Sequence, residues 1–362
     1  MIAYEQLFRC YINCRKNKRN TLNQLAFEID ADINLLRLQE ELNNRTYQPG
    51  PSICFVLEKP KLREVFAATF RDRIVHHVLI EYLSGICEPR FIHDSYACRP
   101  GKGTHAAIGR LQKFCRSITG NNTRRAYYMQ LDVRSFFVEI NKEILEKLVK
   151  KQTDNEHMLW LTNMIIWNDC ALNCQITRGG DLINRIPAHK TLFKAPRHKG
   201  LPIGNLTSQF FANLYLNELD HFIKRQLKCR FYVRYMDDLV LLSESKEQLQ
   251  NWMISIEEFL NDHLDLVLHP TKRIIAPISN GIDFVGYIVR PEYVLVRKRV
   301  VGNLKHRIWS RTVDEGIWAS YMGHFQHAQS GRLIIRLREA LTKNNIKLVH
   351  PKNKRSEQWQ HS

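Results

Sequence analysis

The sequence predicts an α+β chain, and three observations carry that reading. A polar, helical N-terminal stretch leads in, short apolar strand-like runs fill the middle and end in aspartates, and a basic helical segment follows to the C-terminus. At 362 residues the chain has room for roughly two to three packed units with a sizeable core.

Residues 1–50 read as helical, with Leu22, Leu25, Leu35, Leu36, Leu38 and Leu42 as apolar stripes suited to packing. The stretch from Ser52 to Ala68 alternates like a β-hairpin and carries Lys59, Lys61 and Arg63. Arg71 to His77 predicts a helix whose charges are structural, and Ser95 to His105 holds a Gly-rich turn with Arg99 and Lys102. Tyr127 to Val133 reads as a strand that ends at Asp132 and is followed by Ser135-Phe136-Phe137. Between Cys174 and Gly204 lies a loop-like insertion with Gly179-Gly180, Pro187 and Pro196, and with Lys190, Lys194, Arg197 and Lys199. A Leu201-Pro202-Ile203-Gly204 turn then opens a helix. Phe231-Tyr232-Val233 and Leu239-Val240-Leu241-Leu242 flank Tyr235-Met236-Asp237-Asp238 as a tight hairpin.

Charge narrows the partner. Lys+Arg number 54 against 36 Asp+Glu, a net +18 with pI near 9.6, which is the footprint of a protein that holds a polyanion. The segment from Arg290 to Ser362 alone carries 15 Lys+Arg against 5 Asp+Glu. No apolar run reaches the ~18 residues of a spanning helix, and the N-terminus lacks a signal-peptide pattern, so no membrane partner and a cytoplasmic location are expected. The nine cysteines suit reduced, mostly buried thiols. Cys10-x3-Cys14 and Cys170-x3-Cys174 lack the second Cys/His pair of a zinc site.

Two ionised carboxylates at a hairpin tip repel each other, and their desolvation costs on the order of several kcal/mol unless a cation compensates. A bare Asp-Asp pair reads better as an ordinary polar turn, and Asp132 alone could be a helix cap. Together they fit a different chemistry. Two divalent ions roughly 3.5–4 Å apart must be clamped from two chain segments, and Asp132 with Asp237 and Asp238 supplies both. Hard cations bound by carboxylates and phosphate oxygens point to phosphoryl transfer.

The ordered set of strand-Asp with a following aromatic, Leu-Pro-x-Gly turn and Tyr-Met-Asp-Asp hairpin resembles a reverse transcriptase. The stretches Gly200 to Tyr215 and Ser95 to His105 are similar to the enzymes of diversity-generating retroelements, which copy a template RNA mutagenically. The resemblance runs from about Leu35 to Ser330. It implies a right-hand polymerase fold: fingers with an N-terminal helical extension over 1–125, a palm over 126–290 with a basic insertion at 175–199, and a basic helical thumb over 291–362. It also implies two Mg²⁺ ions, with Mn²⁺ as a possible substitute, held by Asp132, the Val133 backbone, Asp237 and Asp238. Deoxynucleoside triphosphates would meet Lys61 and Arg63, with Lys59 as a near alternative, and Ile203 and Gln209, with Phe137 as the ring that excludes a 2′-hydroxyl. Lys272 matches the lysine proposed to protonate pyrophosphate, and Arg99, Lys102, Gly286 and Tyr287 would contact template or primer.

Ile203 stands where many reverse transcriptases have Gln. An aliphatic side chain there cannot hydrogen-bond the templating nucleotide, at a loss of about 0.5–1.5 kcal/mol per missing bond. The resemblance further implies errors concentrated at template adenines and a small basic, ring-forming accessory protein beside template RNA and RNA/cDNA duplex. Nearest alternatives are a defence-associated or group II intron-like reverse transcriptase and, from another class, a non-catalytic RNA-binding scaffold. The sequence stops about a thumb's length past Tyr287, which predicts no intron-type DNA-binding or endonuclease domain. Neither a Val-Thr-Gly nor an Asn-Ala-x-x-His segment of the retron kind is found.

Overall fold

The structure is a computed structural model that describes residues 1–16, 21–59, 61–344, 346 and 348. Three helices lead in: α1 (Tyr4–Arg15), α2 (Leu22–Glu28) and α3 (Ala31–Asn43). The expected hairpin follows as β1 (Ser52–Leu57) and β2 (Arg63–Ala67), then α4 (Phe70–Cys87) and α5 (Thr104–Ile118). The middle continues with β3 (Tyr127–Val133), α6 (Phe136–Glu139), α7 (Lys142–Lys150), α8 (Glu156–Ile166) and β4 (Cys174–Arg178). Next come α9 (Leu206–His221), β5 (Tyr232–Tyr235), β6 (Asp238–Ser243), α10 (Lys246–Leu264) and β7 (Leu268–Pro277). Three short strands, β8 (Ile282–Phe284), β9 (Tyr287–Val289) and β10 (Val294–Val296), precede α11 (Lys298–Trp309), α12 (Glu315–Phe325) and α13 (Gly331–Lys343).

The central sheet has the order β5-β6-β3-β7, all antiparallel. Successive strand residues face opposite sides, so the apolar runs split between two cores. Met129, Leu131, Leu239 and Leu241 join the larger core with α4, α9 and α10, whereas Tyr128, Val233, Val240 and Leu242 pack with α5, β8 and β9. Burial on both faces is why β6 reads as an unbroken Leu-Val-Leu-Leu run. On the larger-core side lies α9, buried along most of its length, and its buried residues include the polar Asn213, Asn217 and Asp220. The C-terminal helices have a small core of their own, built on Leu304, Ile308, Phe325, Leu337 and Leu341.

Two expectations change. Leu35, Leu38 and Leu42 are the buried face of α3 and Leu36 is exposed on it, while Leu22 and Leu25 are exposed because the two-turn α2 presents Gln24 and Phe27 inward instead. The insertion is not all loop. Residues Cys174–Arg178 form β4, parallel to β1, completing a sheet of order β2-β1-β4. The rest consists of short 3-10 turns, tied back where Thr191 Oγ1 and the Leu192 N–H donate to the Glu64 carboxylate at 2.6 and 2.5 Å. The nine cysteines, all among the described residues, form no disulfide, and seven of them are buried. No helix among the described residues is long and apolar enough to cross a membrane. Residues 345, 347 and 349–362 of the basic tail lie outside the described residues.

Candidate active site

The predicted hairpin is formed by β5 and β6, with Tyr235 opposite Asp238 and Met236-Asp237 as its two-residue turn. Met236 has φ +56° and Asp237 is not in the positive-φ region, the pattern of a II′ turn, whose first position glycine usually fills. Asp238 in turn pairs across strands with Asp132 on β3, so register alone brings the two sequence-distant acids together.

On the other flank of β3 the ladder with β7 slips. Leu131 pairs with Arg273, but Val133 pairs with Leu268, so residues 269–272 bulge opposite Asp132. Pro270, which has no N–H for the ladder, sits in that bulge. The bulge sets Lys272 against Asp132, where its Nζ forms an ion pair with Oδ2.

Crowding shows in the electrostatics. Burial, followed by repulsion from Asp237 and Asp132, pushes the Asp238 carboxyl up to about 7, against the pull of Lys272 and Arg297. Burial and then Asp132 also raise Asp237, while its own N–H, Lys272 and Lys61 pull the other way. Lys61 is thus among the cations whose field reaches Asp237. Among the described residues no group of three or more His, Cys, Asp or Glu side chains is by itself arranged to hold a metal ion. The donor chemistry nonetheless fits a hard divalent cation, because Mg²⁺ is usually held by one or two carboxylates, with water and substrate phosphates completing the shell. Asp132, Asp237 and Asp238 offer such oxygens, and a bound cation would relieve the repulsion that raises the last two.

The nucleotide-side residues converge through backbone hydrogen bonds. The Phe66 N–H of β2 donates to the Ile203 carbonyl at 2.8 Å, and the Ala68 N–H donates to Asn205 Oδ1 at 3.1 Å, so the strand that carries Arg63 is fastened to the Leu-Pro-Ile-Gly turn. Gly204 permits this approach: at φ +125° a Cβ there would lie 2.5 Å from the Phe66 carbonyl oxygen. The turn is also held from below, where the Leu201 N–H donates to the Phe137 carbonyl at 2.8 Å. Phe137 is half-buried against Phe136, with ring centroids 5.5 Å apart, and Gln209 lies one turn into α9. Neither the Lys61 nor the Arg63 side chain forms a hydrogen bond or ion pair with another described residue.

Two residues expected to contact nucleic acid have internal partners instead. The Arg99 side chain, only 6 % exposed, pairs with Glu88 at 2.8 Å and donates to the carbonyls of Ile92 and Ser95, so the Gly-rich turn uses its guanidinium as an internal staple. Tyr287 is fully buried, its hydroxyl donating to the His324 carbonyl at 2.7 Å, because the alternation of β9 points it toward α5 and α12. Gly286 stays at the surface of the β8–β9 turn, where Val285 and Gly286 both have positive φ, and Lys102 remains accessible beside the Tyr96 ring.

Sequence reasoning missed Arg234, Asp220, Asn213 and Ser95, which pack beneath the hairpin. The available signal was a charged residue inside an otherwise apolar strand.

The family model described as "Reverse transcriptase (RNA-dependent DNA polymerase)" matches residues 57–289. The chain is 22% identical over 379 aligned positions to the group II intron-encoded protein of Lactococcus lactis subsp. cremoris, covering 86% of this chain and 58% of that protein. It is 27% identical over 215 positions to an uncharacterized 91 kDa protein in the cob intron of Schizosaccharomyces pombe, covering 59% and 23% respectively. The chain thus spans less than two thirds of these relatives. Among solved structures it is similar to telomerase from Candida albicans in complex with a fragment of telomeric RNA, with TM-score 0.50 and 10% identity over 72% of this chain and 51% of that one. Apo telomerase from Candida tropicalis gives 0.51 and 12%, over 72% and 52%. At such identities the likeness is one of fold, the right-hand polymerase fold. On the family match, which spans both strands that carry the aspartates, the chain belongs to the reverse transcriptase (RNA-dependent DNA polymerase) family.

Proposed function

We propose that the chain is an RNA-directed DNA polymerase that copies template RNA into cDNA from deoxynucleoside triphosphates. The observation that carries this reading is the gathering of Asp132, Asp237 and Asp238 by strand register, with Lys272 paired to Asp132. Asp132, Asp237, Asp238 and the Val133 carbonyl would hold two divalent cations, Mg²⁺ or Mn²⁺. When bound, these supply charge neutralisation and Lewis acidity at the attacked α-phosphate. Lys61 and Arg63 neutralise the triphosphate from the β1–β2 hairpin. Phe137 fills the space a 2′-hydroxyl would need, and Lys272 offers a proton to the departing pyrophosphate. Residues 1–125, 126–290 and 291–362 serve as fingers, palm and thumb, the last laying its basic surface along the RNA/cDNA duplex, with Lys102 and the Gly286 turn as further contacts.

Within the family we place the chain with the error-prone enzymes of diversity-generating retroelements, acting in the cytoplasm with a small basic ring-forming partner. Support comes from aliphatic Ile203, whose carbonyl is engaged with Phe66 and whose side chain can offer no hydrogen bond to a templating base. The similarity to group II intron-encoded proteins favours a second reading, an intron-type enzyme of ordinary fidelity. Sequencing cDNA copied from one defined RNA separates them. The first reading expects errors concentrated at template adenines and reduced about tenfold by Ile203→Gln, a difference of ~1.4 kcal/mol in discrimination. Rare adenine errors in the parent, or equal ones in both proteins, would favour the second.

A further inference from the structure

Beneath the hairpin lies a fully buried ionic network that the polymerase mechanism does not use. Arg234 is 1 % exposed and Asp220, from α9, is wholly buried. Nε and Nη2 of Arg234 donate to the Asp220 carboxylate at 2.8 and 2.6 Å. Nη1 donates to Asn213 Oδ1 and to the Met236 carbonyl, both at 3.1 Å, and Nη2 reaches Ser95 Oγ at 3.1 Å. Each of the five guanidinium N–H groups therefore has an acceptor. Tyr232 donates its hydroxyl to the same carboxylate at 2.7 Å, and the Asn213 amide continues to the Ala97 carbonyl at 2.8 Å.

A buried ion pair is weak grounds for stability, because apolar replacements of similar volume are often as stable or more so. What this pair does that an apolar pair cannot is hold the Met236 carbonyl. That carbonyl belongs to the residue in the left-handed region, at a hairpin position glycine would favour, and directly precedes Asp237. Backbone pairing links the same arginine to a neighbouring segment: its N–H donates to the Asp94 carbonyl at 2.9 Å, and its carbonyl accepts from Tyr96 at 3.0 Å.

We infer that Arg234, backed by Asp220, is a positioning residue that fixes the strained Met236 turn, and so aims Asp237 and Asp238 at Asp132. The inference rests on the reading of these aspartates as cation ligands. A lysine keeps the charge against Asp220 but cannot serve the carboxylate, Asn213, Ser95 and the Met236 carbonyl at once.

The test uses the full chain with Arg234→Lys and with the double variant R234M/D220L, which removes both charges together and leaves no lone buried ion. Three quantities are measured: Mn²⁺ affinity by electron paramagnetic resonance without substrate, kcat and KM for a deoxynucleotide, and thermal melting. The expected result is cooperative melting near the parent's for the double variant, with Mn²⁺ affinity and kcat in both variants reduced about 10–100-fold and KM changed far less. Folded variants with the parent's Mn²⁺ affinity and kcat would overturn the inference. Failure of the parent itself to bind Mn²⁺ would instead overturn the reading of the aspartates as ligands.

Discussion

Replacing Gly204 by alanine challenges the coupling between the strand that carries Arg63 and the Ile203 turn. The added Cβ would lie 2.5 Å from the Phe66 carbonyl oxygen and 2.8 Å from Val65 Cγ1, at φ +125°. The first of these is a backbone atom, so no rotamer change relieves the contact, and β2 must retreat by about 1 Å to regain van der Waals distance. The backbone conformation itself costs a residue with a Cβ about 1–3 kcal/mol. Loss of the 2.8 Å Phe66–Ile203 hydrogen bond adds about 0.5–1.5 kcal/mol. Displacement of Arg63 by that distance should lower kcat/KM for a deoxynucleotide up to about 10²-fold, with the melting temperature falling by several degrees. Single-nucleotide incorporation at varied dNTP and a circular-dichroism melt read both effects. Parent-like KM together with parent-like melting would refute the argument that Gly204 sets the approach of β2.

Two further outcomes are expected. Phe137→Val should narrow the preference for dCTP over CTP opposite guanine at least tenfold, because the space under the sugar opens; an unchanged ratio would return the ring to core packing. Burial holds the His76 imidazole at about 4, below its usual 6.5, so the unfolded chain binds the extra proton between those values. Its contribution is therefore complete above pH 6.5 and is lost as pH falls toward 4, by about 3 kcal/mol, and His76→Gln should flatten the dependence of melting temperature on pH in that window.

What could be read from the sequence follows from how local each requirement is. Asp132, Asp237 and Asp238 were visible because carboxylates closing apolar strands make little sense without a cation, and a two-residue turn leaves few alternatives. The internal partners of Arg99 and Tyr287 were not legible because they come from other segments: Glu88 lies 11 positions away and His324 lies 37. Arg234 is the converse case. Within Tyr232-Val233-Arg234-Tyr235 the lone charge is visible, but only the structure shows that both faces of this sheet are covered, so that the charge needs the partner that α9 supplies. The strand β4 escaped notice because it is short, mostly exposed and followed by Gly179-Gly180, and only its pairing with β1 makes it a strand.

The most direct measurement is extension of a primer on an RNA template by the full chain with deoxynucleotides and Mg²⁺, comparing the parent with Asp237→Ala and recording RNA binding by both. The account predicts cDNA from the parent and none from the variant, with RNA affinity unchanged, because the substitution removes a cation ligand and leaves the basic surface intact. Robust synthesis by Asp237→Ala, or a parent that binds RNA but extends nothing under these conditions, would contradict it.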